Sequence, residues 1–143
     1  MDPAAWKATV TAAAVSDAHA LIWYAWGPGR RLGRAARSHF ARAERGHAIV
    51  YVPSLVLVEI AEATRRGAIR YNGGFSRWAR AMLASGRFVA AYLTADIVLA
   101  AEGLYGIPER GDRLIAATAV ALQCPLITAD AAFARIPSLT TLW

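Results

Sequence analysis

The chain has 143 residues, 57% of them hydrophobic, and a formal net charge of +6 carried by 15 arginines and one lysine. That length fits a single domain over residues 1–143 with a core of its own, and the composition excludes a disordered chain. No window approaches about 18 uninterrupted apolar residues, so no membrane-spanning helix is expected.

No secretory signal is readable at the start, which leaves a cytoplasmic location as the expectation. The single cysteine, Cys124, rules out an internal disulfide framework and a cysteine-based metal cluster, and reads as a buried, inert thiol. The basic balance favours an anionic partner, nucleic acid or an acidic protein segment. A coding bias towards Ala and Arg would give the same count.

Five β-prone runs punctuate the chain: Thr9 to Ser16, Ala48 to Val52, Arg87 to Leu93, Pro125 to Thr128 and Ser138 to Leu142. Helical segments lie between them. Ala18 to Trp26 is stopped by Gly27, Pro28 and Gly29; Arg31 to Arg45 ends at Gly46; Pro53 and Ser54 open a helix that runs to Arg66 and closes at Gly67. Phe75 to Ala84, Ala95 to Tyr105 and Asp112 to Leu122 follow, with Leu114, Ile115, Thr118 and Leu122 as an expected buried stripe. Strands alternating with helices imply an α/β fold with a parallel, doubly wound sheet. Functional groups in such sheets gather beyond the carboxyl ends of the strands.

Ten acidic residues are few enough to weigh singly. Asp17 ends the first strand-like run and Asp130 follows the fourth, so both belong at that edge. Glu59 lies about two turns into the third helix, among Leu55, Val56, Val58 and Ile60, with no basic residue within a turn of it. Asp112 stands where its helix begins. Simple capping would account for Asp17, Asp112 or Asp130 one at a time, but Glu59, in an apolar helix, needs a partner or a proton. If the four converge, each pair at ~4 Å repels by about 4 kcal/mol at an effective dielectric of 20. A divalent cation relieves that repulsion, and an all-oxygen donor set suits Mg²⁺ or Mn²⁺. His19, His39 and His47 lack zinc-ligand spacing. Such a carboxylate cage is a phosphoryl-transfer site by its chemistry.

Three segments carry a family resemblance. Residues 15–27 (VSDAHALIWYAWG), 51–69 (YVPSLVLVEIAEATRRGAI) and 111–133 (GDRLIAATAVALQCPLITADAAF) resemble, in order and spacing, the motifs of PIN-domain proteins. The likeness runs over about residues 9 to 135 and is nearest to the VapC-type ribonuclease toxins of bacterial toxin–antitoxin pairs. It implies a three-layer α/β/α sandwich with a five-stranded parallel sheet in the order 3-2-1-4-5. It also implies Mg²⁺ or Mn²⁺ held by Asp17, Glu59, Asp112 and Asp130, and hydrolysis of RNA by an activated water. Thr128 matches the hydroxyl two residues before the last Asp, and Glu109 matches a further acid in an Asp-Pro-x-Asp-Arg string. Here that string reads Glu109-Arg110-Gly111-Asp112-Arg113, without its proline. Ala18 stands where Thr or Ser often follows the first Asp. A cognate antitoxin and a second copy of the chain are the partners implied, docking near Trp23, Tyr24 and Trp26.

Arg30, Arg34 and Arg37 recur at i, i+4 and i+7, and Arg65 and Arg66 follow the Glu59 helix; these are candidate RNA phosphate contacts or plain solvated faces. Arg113 either braces the site or touches phosphate. The leading expectation is an endoribonuclease toxin. The alternatives are a housekeeping nuclease or a catalytically silent PIN module that binds RNA or protein. A phosphoacceptor receiver domain fits poorly, since it needs a lysine after the last strand and the one lysine is Lys7.

Overall fold

In a computed structural model the chain is described over residues 12–143, and residues 9–11 of the first expected strand lie outside that range. The strands β1 (Ala12–Ser16), β2 (Ala48–Pro53), β3 (Phe88–Ala91), β4 (Leu126–Ile127) and β5 (Thr141–Leu142) form one parallel sheet in the order 3-2-1-4-5. Around it pack α1 (Ala18–Ala25), α2 (Arg34–Glu44), α3 (Ser54–Arg65), α4 (Gly74–Ala84), α5 (Ala95–Ala101), α6 (Arg110–Leu122) and α7 (Ala131–Ala134). The arrangement is the α/β/α sandwich expected.

Central position explains the composition of β1. Ala14, Val15 and Ser16 are fully buried, as befits a parallel strand covered on both faces. Val50, Val52, Leu126 and Ile127 from the neighbouring strands complete the layer, with Leu21, Phe40, Val56, Ile60 and Ile115 packed on it from the helices. The connections from β1 lead through β2 to β3 on one side, while β4 and β5 build the other. The strand order therefore reverses between β1 and β4, and their carboxyl ends are where a sheet of this kind gathers its functional groups.

Two expected helices and one stripe are corrected. The helix over residues 31–45 starts only at Arg34, after a 3₁₀ turn at Gly29–Arg31 and an extended Gly33. A side chain at Gly33 would collide with the Trp143 backbone and indole, and the Ala35 amide donates to the Trp143 carbonyl at 3.2 Å. This seam with β5 sets the helix start. The helix over residues 95–105 ends at Ala101 and tightens into a 3₁₀ turn at Glu102–Leu104. In the stripe, Ile115 and Thr118 are buried, Leu114 is half-buried, and Leu122 is exposed at the end of α6. The core face of α6 consists of Ile115, Ala116, Ala117, Thr118 and Ala119.

Gly33→Ala should therefore lower stability by about 1–3 kcal/mol, the usual cost of overpacking. Gly103→Ala, which meets nothing within 4 Å, should be neutral or stabilising by up to about 1 kcal/mol. Urea unfolding midpoints compare the two; equal midpoints would remove the seam from the account of the fold.

Candidate metal centre

Asp17 is placed by the end of β1. Its amide donates to the Ile127 carbonyl at 3.1 Å, continuing the ladder with β4, and its Oδ1 accepts from the Ala20 amide at 2.8 Å, capping α1. Burial raises its carboxyl above the ordinary 3.8. The Thr128 hydroxyl and the Ala20 amide, both donating to it, and the nearby His19 pull it back, while the Asp130 charge pushes it up. Thr128 is buried between these acids. Its Oγ1 also accepts from the Asp130 amide at 3.1 Å, and its own amide donates to Leu142 of β5 at 3.1 Å. One hydroxyl thus links the first and last acids of the set. Asp130 itself caps α7 through the Ala132 amide at 2.9 Å.

Asp112 is not the cap of its helix. Glu109 takes that place, accepting from the Gly111 amide at 2.9 Å and the Asp112 amide at 2.6 Å, so α6 begins at Arg110. Those two amide bonds hold the Glu109 carboxyl below its ordinary 4.5. The Asp112 carboxyl is left to its surroundings. Burial raises it, followed by the charges of Glu109, Asp130 and Asp17, with His19 opposing.

Glu59 arrives from α3. That helix is less enclosed than its sequence suggests: Val56, Ile60 and Ala63 face the core, while Val58 is 48% exposed and Leu55 is half-buried. Burial is still the first cause of the raised Glu59 carboxyl, and the charges of Asp112, Glu109 and Asp17 add to it. Gly111, in the first turn of α6, faces Glu59. A side chain there would sit 3.1 Å and 3.3 Å from the two Glu109 carboxyl oxygens and 3.3 Å from Glu59 Oε1. The unusual Glu-Arg-Gly string thus keeps α6 close to Glu59.

Asp17, Glu59, Asp112 and Asp130 consequently meet at one edge of the sheet and act on one another electrostatically. They are not drawn tightly round a point: among the described residues no group of three His, Cys, Asp or Glu side chains is arranged to hold a metal ion. The donor set is all carboxylate, with Asp17, Glu59 and Asp112 raised first by burial and then by neighbouring charge, and it fits a hard divalent cation by its chemistry.

His19 escaped the sequence reading, which weighed it only as a zinc ligand. It is exposed on the first turn of α1, and its charge acts on Asp17, Glu59 and Asp112 alike. Its place two residues after Asp17 was the available signal. Arg113 braces: its Nη1 donates to the Ile107 and Pro108 carbonyls at 2.9 Å and 3.2 Å, and its guanidinium lies 4.4 Å over the Tyr105 ring. Ala18 is buried, so the position offers the site nothing polar. Cys124 is half-buried rather than buried, and burial pushes its thiol up.

Arg30 belongs to the 3₁₀ turn, not to the helix of Arg34 and Arg37, so the three do not share one helical face. Arg34 and Arg37 flank a shallow groove with Ser38 and Ala41. Arg65 and Arg66 are exposed at the end of α3, about 9 Å of helix rise beyond Glu59. Tyr24 stacks on Phe40 at 4.4 Å and Trp26 leans on Trp78 at 4.6 Å, which makes both part of the packing. No helix among the described residues is long and apolar enough to cross a membrane.

The PIN domain family matches residues 14–139 of the chain. The chain belongs to the PIN domain family. No curated protein matches it. Among solved structures, the PIN fold seen here is similar to VapBC2 from Rickettsia felis bound to a DNA fragment from its promoter. That match has 17% identity and a TM-score of 0.67, covering 90% of this chain and 96% of the other. VapBC-1 from nontypeable Haemophilus influenzae is similar at 18% identity and TM-score 0.59, with 92% and 96% covered. A toxin–antitoxin complex from Klebsiella pneumoniae is similar at 20% identity and TM-score 0.58, with 90% and 96% covered.

The raised carboxyls of this PIN domain set a pH dependence with a definite sign. The folded chain holds protons that the unfolded chain has lost, so stability falls as pH rises from the ordinary values of 3.8 and 4.5 through the raised ones, and the full penalty stands at neutral pH. Glu109 runs the other way, stabilising above 4.5 and losing that as pH falls through its lowered value. Glu59→Gln should raise the melting temperature of the metal-free protein at about pH 7.5, with the gain vanishing near pH 4. A gain of equal size at both pH values would show that charge is not its cause.

Proposed function

We propose that this PIN domain is a metal-dependent endoribonuclease, the toxin of a type II toxin–antitoxin pair, with Asp17, Glu59, Asp112 and Asp130 as the ligands of Mg²⁺ or Mn²⁺. The observation that carries the proposal is the set of carboxylates from β1, α3, α6 and the turn after β4, each of the first three raised in part by its neighbours' charge. Family membership supports a nuclease, and the VapBC structures that share the fold support a toxin with a protein antitoxin.

A bound ion would supply Lewis-acid chemistry, activating a water and neutralising charge that develops on the phosphate. The chain's own residues do the rest. Asp17, Glu59 and Asp112 hold the cation, directly or through water, and Asp130 orients a water or a second ion. Thr128 fixes Asp17 against rotation, and Glu109 holds the start of α6 so that the Asp112 side chain is free to bind. Arg113 stiffens the approach to that turn. Arg30, Arg34, Arg37, Arg65 and Arg66 offer phosphate contacts that weaken with salt. Exposed Tyr92 and Leu122 line one groove, and Val98 and Leu99 are exposed on the adjoining α5. An apolar patch of this kind supports association with a second copy or an antitoxin.

The wild-type chain should cut single-stranded RNA in Mg²⁺ or Mn²⁺ and stop on addition of EDTA. Asp17→Asn and Asp112→Asn should each slow cleavage by on the order of 100-fold or more. Mn²⁺ should also raise the melting temperature of wild type more than that of either variant. Cleavage that persists in EDTA, or at wild-type rate in Asp112→Asn, would sink the proposal.

A further inference from the structure

Beside the acidic edge runs a row of aromatic and basic side chains that metal binding does not use. It starts at His19, whose ring lies 5.9 Å from that of Trp23 at 45°, one turn further along α1. Trp23 is half-buried, so part of its indole stays open. Trp143, at the end of β5, meets it edge-on at 5.6 Å and 64°. The Arg31 guanidinium stands 5.8 Å over the Trp23 ring. Trp143 in turn abuts Gly33, its carbonyl accepting from Ala35, which brings the exposed Arg34 to the end of the row.

We propose that a single RNA strand leaves the acidic edge along this row, its bases lying against His19, Trp23 and Trp143 and its phosphates meeting Arg31 and Arg34. The inference rests on the nuclease reading and gives it a direction. Contiguous rings flanked by cations suit a single strand, because every base has a stackable face and every nucleotide carries a phosphate. A duplex, whose bases already stack on one another, gains little from exposed rings. An acidic peptide would use the two arginines and leave the aromatic surfaces idle, so the observations favour RNA.

The test uses the full chain carrying Asp112→Asn, to suppress cleavage, and a fluorescein-labelled single-stranded RNA of about a dozen nucleotides. Anisotropy titrations in Mg²⁺ should show Arg31→Gln and Trp23→Leu each weakening binding by about 5- to 100-fold, with a duplex of the same sequence bound more weakly than the single strand. His19→Ala should weaken binding in the same sense. Since Trp23→Leu could disturb packing, Trp23→Phe, which keeps a ring, should recover most of the affinity. Arg31→Gln and His19→Ala within about twofold of the parent, or Trp23→Phe no better than Trp23→Leu, would overturn the row as an RNA path. So would a labelled Glu-rich peptide bound more tightly than the RNA and lost in the same variants, which would assign the row to a protein segment. If the chain with Asp112 intact cuts RNA while the variants bind like the parent, only this inference falls. If it neither cuts nor binds RNA, the nuclease reading falls first.

Discussion

A parallel strand covered on both faces can carry a charge only at its ends. β1 meets that constraint with three fully buried residues followed at once by Asp17. The sheet order reverses between β1 and β4, and the end of β1 runs straight into the first turn of α1, where the Ala20 amide meets the Asp17 carboxylate. Everything acidic at the site is arranged about that point. Glu59 comes in on α3, Asp112 on the first turn of α6, and Asp130 on the turn after β4. Their proximity is opposed by burial and repulsion alike, and among the described residues His19 and a few amide and hydroxyl donors offset it. The site is held in an unfavourable charge state by the packing of the sheet beneath it.

The division of labour at the start of α6 follows from the same economy of donors. Two carboxylates stand three residues apart, Glu109 and Asp112, and one helix terminus offers its amides. Glu109 takes both amides and becomes easier to ionise; Asp112 takes neither and becomes harder. Hydrogen bonds thus lower the proton affinity of Glu109, while burial and then neighbouring charge raise that of Asp112. Gly111 makes the choice compatible with a close Glu59, since any larger residue would press on both glutamates.

Much of this was legible in the chain. Gly and Pro punctuation marks the five strands and the six longer helices within a few residues, though not the short α7, and the alternation of elements marks the parallel sheet. The strand order came from the resemblance of three segments to PIN domains, whereas the four acids stood out first by their places at strand ends, a helix start and an apolar helix. What was hidden depends on contacts between distant parts. The start of α2 is set by Trp143, more than a hundred residues away, and nothing near Gly33 announces it. Capping preference points to Asp112, since Asp is the better N-cap residue, yet Glu109 takes the place. Leu122 keeps helical spacing with the core positions, yet α6 ends too near the sheet edge to cover it. His19 was passed over because histidine spacing was judged against zinc, whereas its role at the edge is electrostatic. The exposure of Val58 shows how an apolar run can sit on a helix with one face open.

The Thr128 hydroxyl has one proton to give and gives it to Asp17, while its oxygen receives the Asp130 amide. Any movement that withdraws the loop after β4 takes the acceptor away from that amide and shifts the hydroxyl that steadies Asp17. Burial would then act on Asp17 with less opposition, and the group would bind a proton more readily. A displacement of that loop would therefore be felt as a change in the ionisation of the acid at the end of β1.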